Sequence, residues 1–143
     1  MNGIFILLVL IVLIVLLAVG AHYVDRIRRL SRSEMFGLTR EEVRARWQQI
    51  ERTSTDGEMG AKLAVLEADT LLDTALKSMT MPGNTLGERL KVASARYPEI
   101  RSVWWAHKLR NQIAHDSSFR VGTRQADKAI REFERALKKL GVL

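Results

Sequence analysis

An uninterrupted apolar run near the N-terminus is the feature that most limits what this 143-residue chain can fold into. Residues 4–21 read IFILLVLIVLIVLLAVGA and contain no charged and no strongly polar side chain. A helix needs about 18 to 20 such residues to cross the hydrocarbon core of a membrane. The 23 Lys and Arg residues and the 16 Asp and Glu residues all follow the run. We therefore predict a transmembrane anchor over residues 1–24, followed by a separate domain.

The charges that flank the apolar run indicate its orientation. Arg26, Arg28, Arg29 and Arg32 follow it, and no charged side chain precedes it. Because positive residues stay on the cytoplasmic side, we predict a single-pass protein of the plasma (inner) membrane, with its N-terminus outside and its C-terminal domain in the cytoplasm. The alternative is a cleaved signal peptide, with AVGAH at residues 18–22 as a weak cleavage site. Signal peptides usually carry their positive charge before the apolar core, which favours the anchor.

Composition removes several classes of function. The chain has no cysteine, so disulfides, cysteine metal sites and cysteine nucleophiles are excluded. We expect no metal and no other cofactor. Its formal net charge is +7, and a basic domain held at a membrane can contact anionic lipid, nucleic acid or both. The sequence contains no Gly-rich phosphate loop and no dinucleotide fingerprint.

Beyond the anchor, the sequence predicts an all-α fold. A charged helical segment over residues 25–57 has a narrow apolar stripe of Val43, Trp47 and Ile50, and it either links the anchor to the domain or lies on the domain. Residues 58–143 then predict a bundle of about four main helices. These helices start near residues 58 and 86, near residue 100 or 102, and near residue 124. Ser/Thr-x-x-Glu, the pattern of a capping box, occurs at Ser31/Glu34, Thr39/Glu42, Thr55/Glu58 and Thr85/Glu88.

The predicted helix near residues 102–115 carries the most specific pattern, WWAHKLRNQIAH at residues 104–115. A helix turns by about 100° per residue. The face that we predict to be buried carries Trp105, Leu109 and Ile113, with Ala106 at its border. The opposite face carries Trp104, His107, Asn111 and His115.

Arg110 projects to one flank of this helix, about 140° from His115 if the helix is straight. The two side chains therefore do not easily meet at one small group within one chain. They can converge if the helix loosens near Ala114, or if two copies of the chain each contribute side chains to a shared cleft. We accordingly predict a homodimer that forms through the face bearing Trp104, Asn111 and His115.

Arg110-Asn111-x-x-x-His115, read as lying near the start of the last helix of a small helical bundle, resembles the signature of HEPN domains (higher eukaryote and prokaryote nucleotide-binding). The resemblance covers about residues 58–143. It implies a metal-independent endoribonuclease with a composite dimer site, in which His115 is the acid/base, Arg110 stabilises the phosphate charge and Asn111 positions the helix end or the substrate. Such chemistry would leave a 2′,3′-cyclic phosphate. Trp104, His107 and Lys108 are candidate contacts to the dimer partner or to substrate.

The same residues also have a purely structural interpretation. His115 can cap the last carbonyls of its helix, Arg110 can pair with Glu99, Asp116 or an acid of the helix that starts near residue 58, and Asn111 can bond to a loop. The carboxylates Glu67, Asp69 and Asp73 favour ion pairs with Arg89, Lys108 or Arg110 over metal binding. A second function therefore stays open, a non-catalytic helical module that holds a protein or nucleic-acid partner at the cytoplasmic face. We expect control of a ribonuclease to come from a separate regulatory protein.

Overall fold

The computed structural model describes residues 2–30, 36–116 and 118–143, and the chain divides into two units, residues 1–32 and 33–143. The first unit contains helix α1, Asn2–Leu30, as the apolar run predicts. Its described side chains, Leu7 and those of residues 9–23, are all exposed. Among the residues that the structure describes, no helix is found that is long and apolar enough to cross a membrane. The membrane span therefore stays a prediction from the sequence.

The second unit is built from five α-helices and one short 3-10 turn within its described residues. They are α2 Arg40–Ser54, α3 Gly57–Ser78, α4 Leu86–Arg96, the 3-10 turn Pro98–Ile100, α5 Val103–His115 and α6 Thr123–Lys139. Residues 36–116 and 118–143 contain no strand, which confirms the all-α prediction. Tyr97-Pro98 ends α4 where the sequence predicts it, because the residue before a proline avoids helical geometry.

Helix α3 lies at the centre of the second unit and packs against α2, α4, α5 and α6. Its apolar side chains cover a wide arc, and Ala64, Val65, Leu72 and Leu76 are completely buried. From α6, Phe133 and Leu137 are completely buried too. Because one helix is enclosed by four others, α3 is the element that sets the positions of its neighbours.

The charged helix α2 is part of this bundle. Val43, Trp47 and Ile50 are all buried, so the narrow apolar stripe faces α3. Arg40 also ties the start of α2 to the C-terminus, because its Nε donates a hydrogen bond of 2.9 Å to the carbonyl oxygen of Gly141. Of the two alternatives that the sequence left open, α2 lies on the domain and does not simply lead to it.

The capping boxes are confirmed in part. At Thr39 both halves are present: its hydroxyl accepts from the Glu42 amide and the Glu42 carboxylate accepts from the Thr39 amide. At Thr85 the hydroxyl accepts from the Glu88 amide, but the Glu88 carboxylate accepts from the Asn84 amide instead. Thr55 is wrong as a cap, because Asp56 precedes α3 and makes no side-chain cap bond. Ser31/Glu34 lies outside the described residues.

An ion pair between α3 and α4 fixes the start of α4. Arg89 is buried, and its Nε and Nη2 lie 2.8 Å and 2.7 Å from Oδ1 of Asp73. Arg89 Nη1 also donates to the carbonyl oxygen of Gly83 in the preceding loop. The other Asp73 oxygen accepts from Lys77 at 2.8 Å. The carboxylate of Asp73 is thus an acceptor for two cations, and Arg89 is one of the three partners that the sequence left open for these carboxylates.

We expect Asp73 to make the fold sensitive to acid. Burial alone would raise the pKa of Asp73, but hydrogen bonds from Lys77 and Arg89 outweigh burial and hold the pKa below its usual value of 3.8. A carboxyl whose pKa is lower in the folded chain stabilises the fold above the unfolded pKa, and this stability is lost as the pH falls through the folded pKa. The melting temperature should therefore drop more steeply below about pH 4 in the wild type than in Asp73→Asn. Parallel pH profiles for the two proteins would contradict this assignment.

Candidate functional site

The side chains around the predicted motif form one connected network on a buried carboxylate. Asp69 of α3 is 3% exposed and faces α5. Its Oδ1 lies 2.7 Å from Nδ1 of His107, and its Oδ2 lies 3.0 Å from Nε of Arg110. His107 and Arg110 are three residues apart, which places them side by side on α5. The Asp69 carboxylate therefore fixes two residues of α5.

Asn111 closes the network on its outer side. Arg110 Nη1 donates to Asn111 Oδ1 at 3.1 Å, and Asn111 Nδ2 lies 3.4 Å from Nε2 of His107. An ionised carboxylate only accepts, so the His107 proton lies on Nδ1, and Nε2 is the ring nitrogen that accepts from the Asn111 amide. Each group then has a complementary partner. The hydrogen bonds thus select one tautomer of His107 and one orientation of the Asn111 amide.

Arg110 is anchored without being enclosed. Its Nε approaches Asp69 as a close ion pair without hydrogen-bond geometry, and its Nη1 bonds to Asn111. The side chain is still 32% exposed, and a guanidinium has five N–H groups. N–H groups of Arg110 consequently remain available for a ligand on the outer surface of α5.

The other predicted site residues lie around this network. Trp104 is half-buried, and its ring meets the His107 ring edge-on, with centroids 6.0 Å apart. A Cβ built on Gly87, in the first turn of α4, would lie 3.9 Å from both His107 Nε2 and the Trp104 ring, so α4 borders the same cluster. Lys108 is exposed.

His115 is the predicted residue that the structure does not bring into the network. It is exposed and is the last residue of α5. Because α5 is helical from Val103 through His115, the helix does not loosen near Ala114, and Arg110 and His115 of one chain stay on different sides of it. Asn111 and His115 share a face, one turn apart. A site that uses both Arg110 and His115 would therefore need two chains.

The predicted core face of α5 needs a correction. The buried residues are Val103, Ala106 and Leu109, while Ile113 is partly buried against the core and Trp105 is 36% exposed. The buried face is thus rotated towards Val103, because α5 must turn His107 and Arg110 towards Asp69. Trp105 consequently lies at the edge of the bundle, where Lys128 Nζ of α6 sits 4.3 Å from its ring centroid.

The contact between His107 and Asp69 was not predicted from the sequence. An Asp69–Arg110 pair is among the alternatives that the sequence left open, and that pair is present. The signal available in the sequence was the position of Asp69 between Ala68 and Leu71, inside the apolar arc of α3, because a buried carboxylate requires partners. Among the described residues, no group of three Asp, Glu or His side chains is placed to hold a metal ion.

Comparison of the chain with protein-family models, with curated proteins and with solved structures finds no match.

Proposed function

We propose that this chain is a membrane-anchored, metal-independent endoribonuclease of the HEPN type, whose site is shared between two copies. The observation that carries the proposal is Arg110, which Asp69 and Asn111 hold in one orientation while 32% of its side chain stays exposed. A pre-oriented guanidinium stabilises charge that develops on a phosphate without having to reorganise during the reaction. Arginine also matches phosphate oxygens with its planar fork of donors.

The proposed reaction needs one further group, an acid/base, and His115 supplies it from the second copy. Histidine titrates near neutral pH and can take the proton from the 2′-hydroxyl or give one to the leaving group. The 2′-oxygen loses its proton and forms a bond to phosphorus as the bond from phosphorus to the 5′-oxygen breaks, and the 5′-oxygen takes up a proton; His115 serves one of these two proton transfers and water serves the other. The products are a 2′,3′-cyclic phosphate and a free 5′-hydroxyl. Asn111 holds Arg110 in place and is a positioning residue in this scheme.

The dimer face that we propose is the outer surface of α5, with Trp104, Asn111 and His115. Trp104 and Asn111 are half-buried and His115 is exposed, so this face presents an aromatic ring and two polar groups together. Tryptophan is favoured at the buried centre of interfaces. In a two-fold dimer the same patch faces itself, which allows His115 of each copy to approach Arg110 of the other. A regulatory protein would bind the same face to prevent cleavage.

We propose that α1 anchors this domain in the plasma (inner) membrane, with the N-terminus outside. The support is the run of apolar side chains over residues 9–21, which are exposed on every side of α1. A helix that is apolar all round is typical of a lipid environment or a protein core. The arginines that follow the run favour the cytoplasmic side for the domain.

A non-catalytic module that holds a partner at the membrane is the second candidate. The observation that favours it is that Asp69 is bound to both His107 and Arg110, as in an ion-pair network that only joins α3 to α5. In that case the exposed face of α5 binds a partner protein or nucleic acid without cleaving it.

Incubation of the full chain in neutral detergent with end-labelled single-stranded RNA separates the two candidates. The ribonuclease proposal predicts cleavage that persists in a chelator, with products that end in cyclic phosphate. Chelator-sensitive cleavage, products with 3′-hydroxyl ends, or intact RNA at dimer-forming protein concentrations would contradict it. The oligomeric state is measured on the same sample by light scattering.

A further inference from the structure

Helix α6 carries a continuous row of cations on its outer surface, which we call the α6 basic stripe. All of its members are exposed, namely Arg124, Lys128, Arg131, Arg135, Lys138 and Lys139. At about 100° per residue they fall within an arc of about 100° on one side of the helix. The opposite side of α6 is buried in the bundle through Ala126, Ala129, Phe133, Ala136 and Leu137. The stripe is therefore held rigidly outward by the core.

The positive charge of this stripe is only partly neutralised. Helix α6 has six basic residues against three acidic ones. Two of the acids pair within the helix, Glu132 with Arg135 at 3.0 Å and Glu134 with Lys138. Within residues 36–116 and 118–143, Arg124, Arg131 and Lys139 form no ion pair. Three cations spread along the stripe thus remain available to an anionic partner.

An aromatic ring and a shallow depression adjoin the stripe. Trp105 of α5 is 36% exposed, and Lys128 Nζ lies 4.3 Å from its ring centroid. Towards the other end, Arg131, Glu134, Arg135, Lys138 and Lys139 line a depression of about 330 Å³. The surface therefore combines a row of cations, a partly exposed ring and a concave region.

We infer that the α6 basic stripe, with Trp105, is a binding surface for single-stranded nucleic acid. From Arg124 to Lys139 the stripe extends about 22 Å, which is long enough for several successive phosphates of one strand to lie along it. Proteins that bind single strands combine a basic track with aromatic rings on which bases stack. An anionic lipid surface fits less well, because the apolar side of α6 is buried and cannot enter the headgroup region as an interfacial helix does.

A binding assay that does not depend on cleavage tests this inference. The probe is a 2′-O-methyl oligouridine of about 12 nucleotides, which lacks the free 2′-hydroxyl, titrated with the full chain in neutral detergent. The stripe variant is Arg124→Gln/Arg131→Gln/Lys139→Gln. The control variant is Arg44→Gln/Lys91→Gln/Arg101→Gln, which removes three exposed cations outside α6. Both variants lower the formal net charge of +7 by three.

The stripe variant should bind about a hundredfold more weakly at 0.1 M salt, and its slope of log affinity against log salt should be about 2 smaller, since each lost phosphate contact on a single strand contributes about 0.7. The control variant should stay close to the wild type. Trp105→Leu should weaken binding about tenfold by removing one stacking platform.

Equal affinities of the stripe and control variants would overturn the inference. So would stripe-dependent binding to phosphatidylserine-containing micelles without binding to the oligonucleotide, which would assign the surface to lipid.

Discussion

His115→Ala should lower the rate of RNA cleavage by about a hundred- to ten-thousandfold, the usual effect of losing a general acid/base. The melting temperature should stay unchanged, because His115 is exposed at the end of α5. Initial rates on end-labelled RNA and thermal melts of the same preparation give both quantities. Gln112→Ala is the matched control, since Gln112 is an exposed residue on the same turn of α5, and it should cleave at nearly the wild-type rate.

Substitutions of Arg110 and of His115 should differ in their effect on stability. Arg110 contacts the buried carboxylate of Asp69, so its removal lowers both activity and stability, whereas His115 affects activity alone. Arg110→Gln is the more informative variant, because its amide keeps an N–H donor beside Asp69 while the positive charge is lost. A His115→Ala protein that cleaves RNA at the wild-type rate would remove His115 from the mechanism.

Asp69→Ala should have the largest effect on stability of any substitution in this site. The carboxylate is 3% exposed, hydrogen-bonds to His107 and forms a close ion pair with Arg110. Removing one partner of a buried ion pair costs about 3–5 kcal/mol, and the lower end applies here because Arg110 can reach water. The melting temperature should fall by roughly 10–20 °C, as measured by circular dichroism on the full chain at neutral pH.

Glu67→Ala is the control for Asp69→Ala. Glu67 lies on the same helix, two residues earlier and half-buried, and its loss removes the same charge. It should change the free energy of unfolding by no more than about 0.5 kcal/mol, as is usual for sites outside a buried network. Similar melting temperatures for the two variants would show that Asp69 does not join α3 to α5 as described.

Much of the fold follows from local rules in the sequence. The bounds of α4, Leu86–Arg96, are those that the pattern predicts, because Thr85 caps the start and Tyr97-Pro98 stops the helix. The stripe of Val43, Trp47 and Ile50 is buried as its spacing indicates. Whether α2 belongs to the domain depended on long-range packing against α3, which periodicity does not report.

The candidate site depends in part on contacts that helix periodicity does not predict. Spacing placed Trp104, His107 and Asn111 on one side of α5, and it separated Arg110 from His115. It also placed Trp105 in the core, which is wrong, because the rotation of α5 is set by Asp69, 38 residues before His107. A contact with a residue so far away in the sequence produces no periodic pattern along α5. Only the position of this acid inside the apolar arc of α3 pointed to it.

The shared site is tested most directly by mixing two inactive variants. Arg110→Gln and His115→Ala are each purified as full chains, combined in equal amounts under conditions that allow subunit exchange, and assayed for RNA cleavage. If each site takes Arg110 from one copy and His115 from the other, half of the dimers are mixed and each holds one intact site, so about a quarter of the wild-type activity should return. A mixture as inactive as its two components, although light scattering shows dimers, would contradict the composite site and with it the proposed ribonuclease.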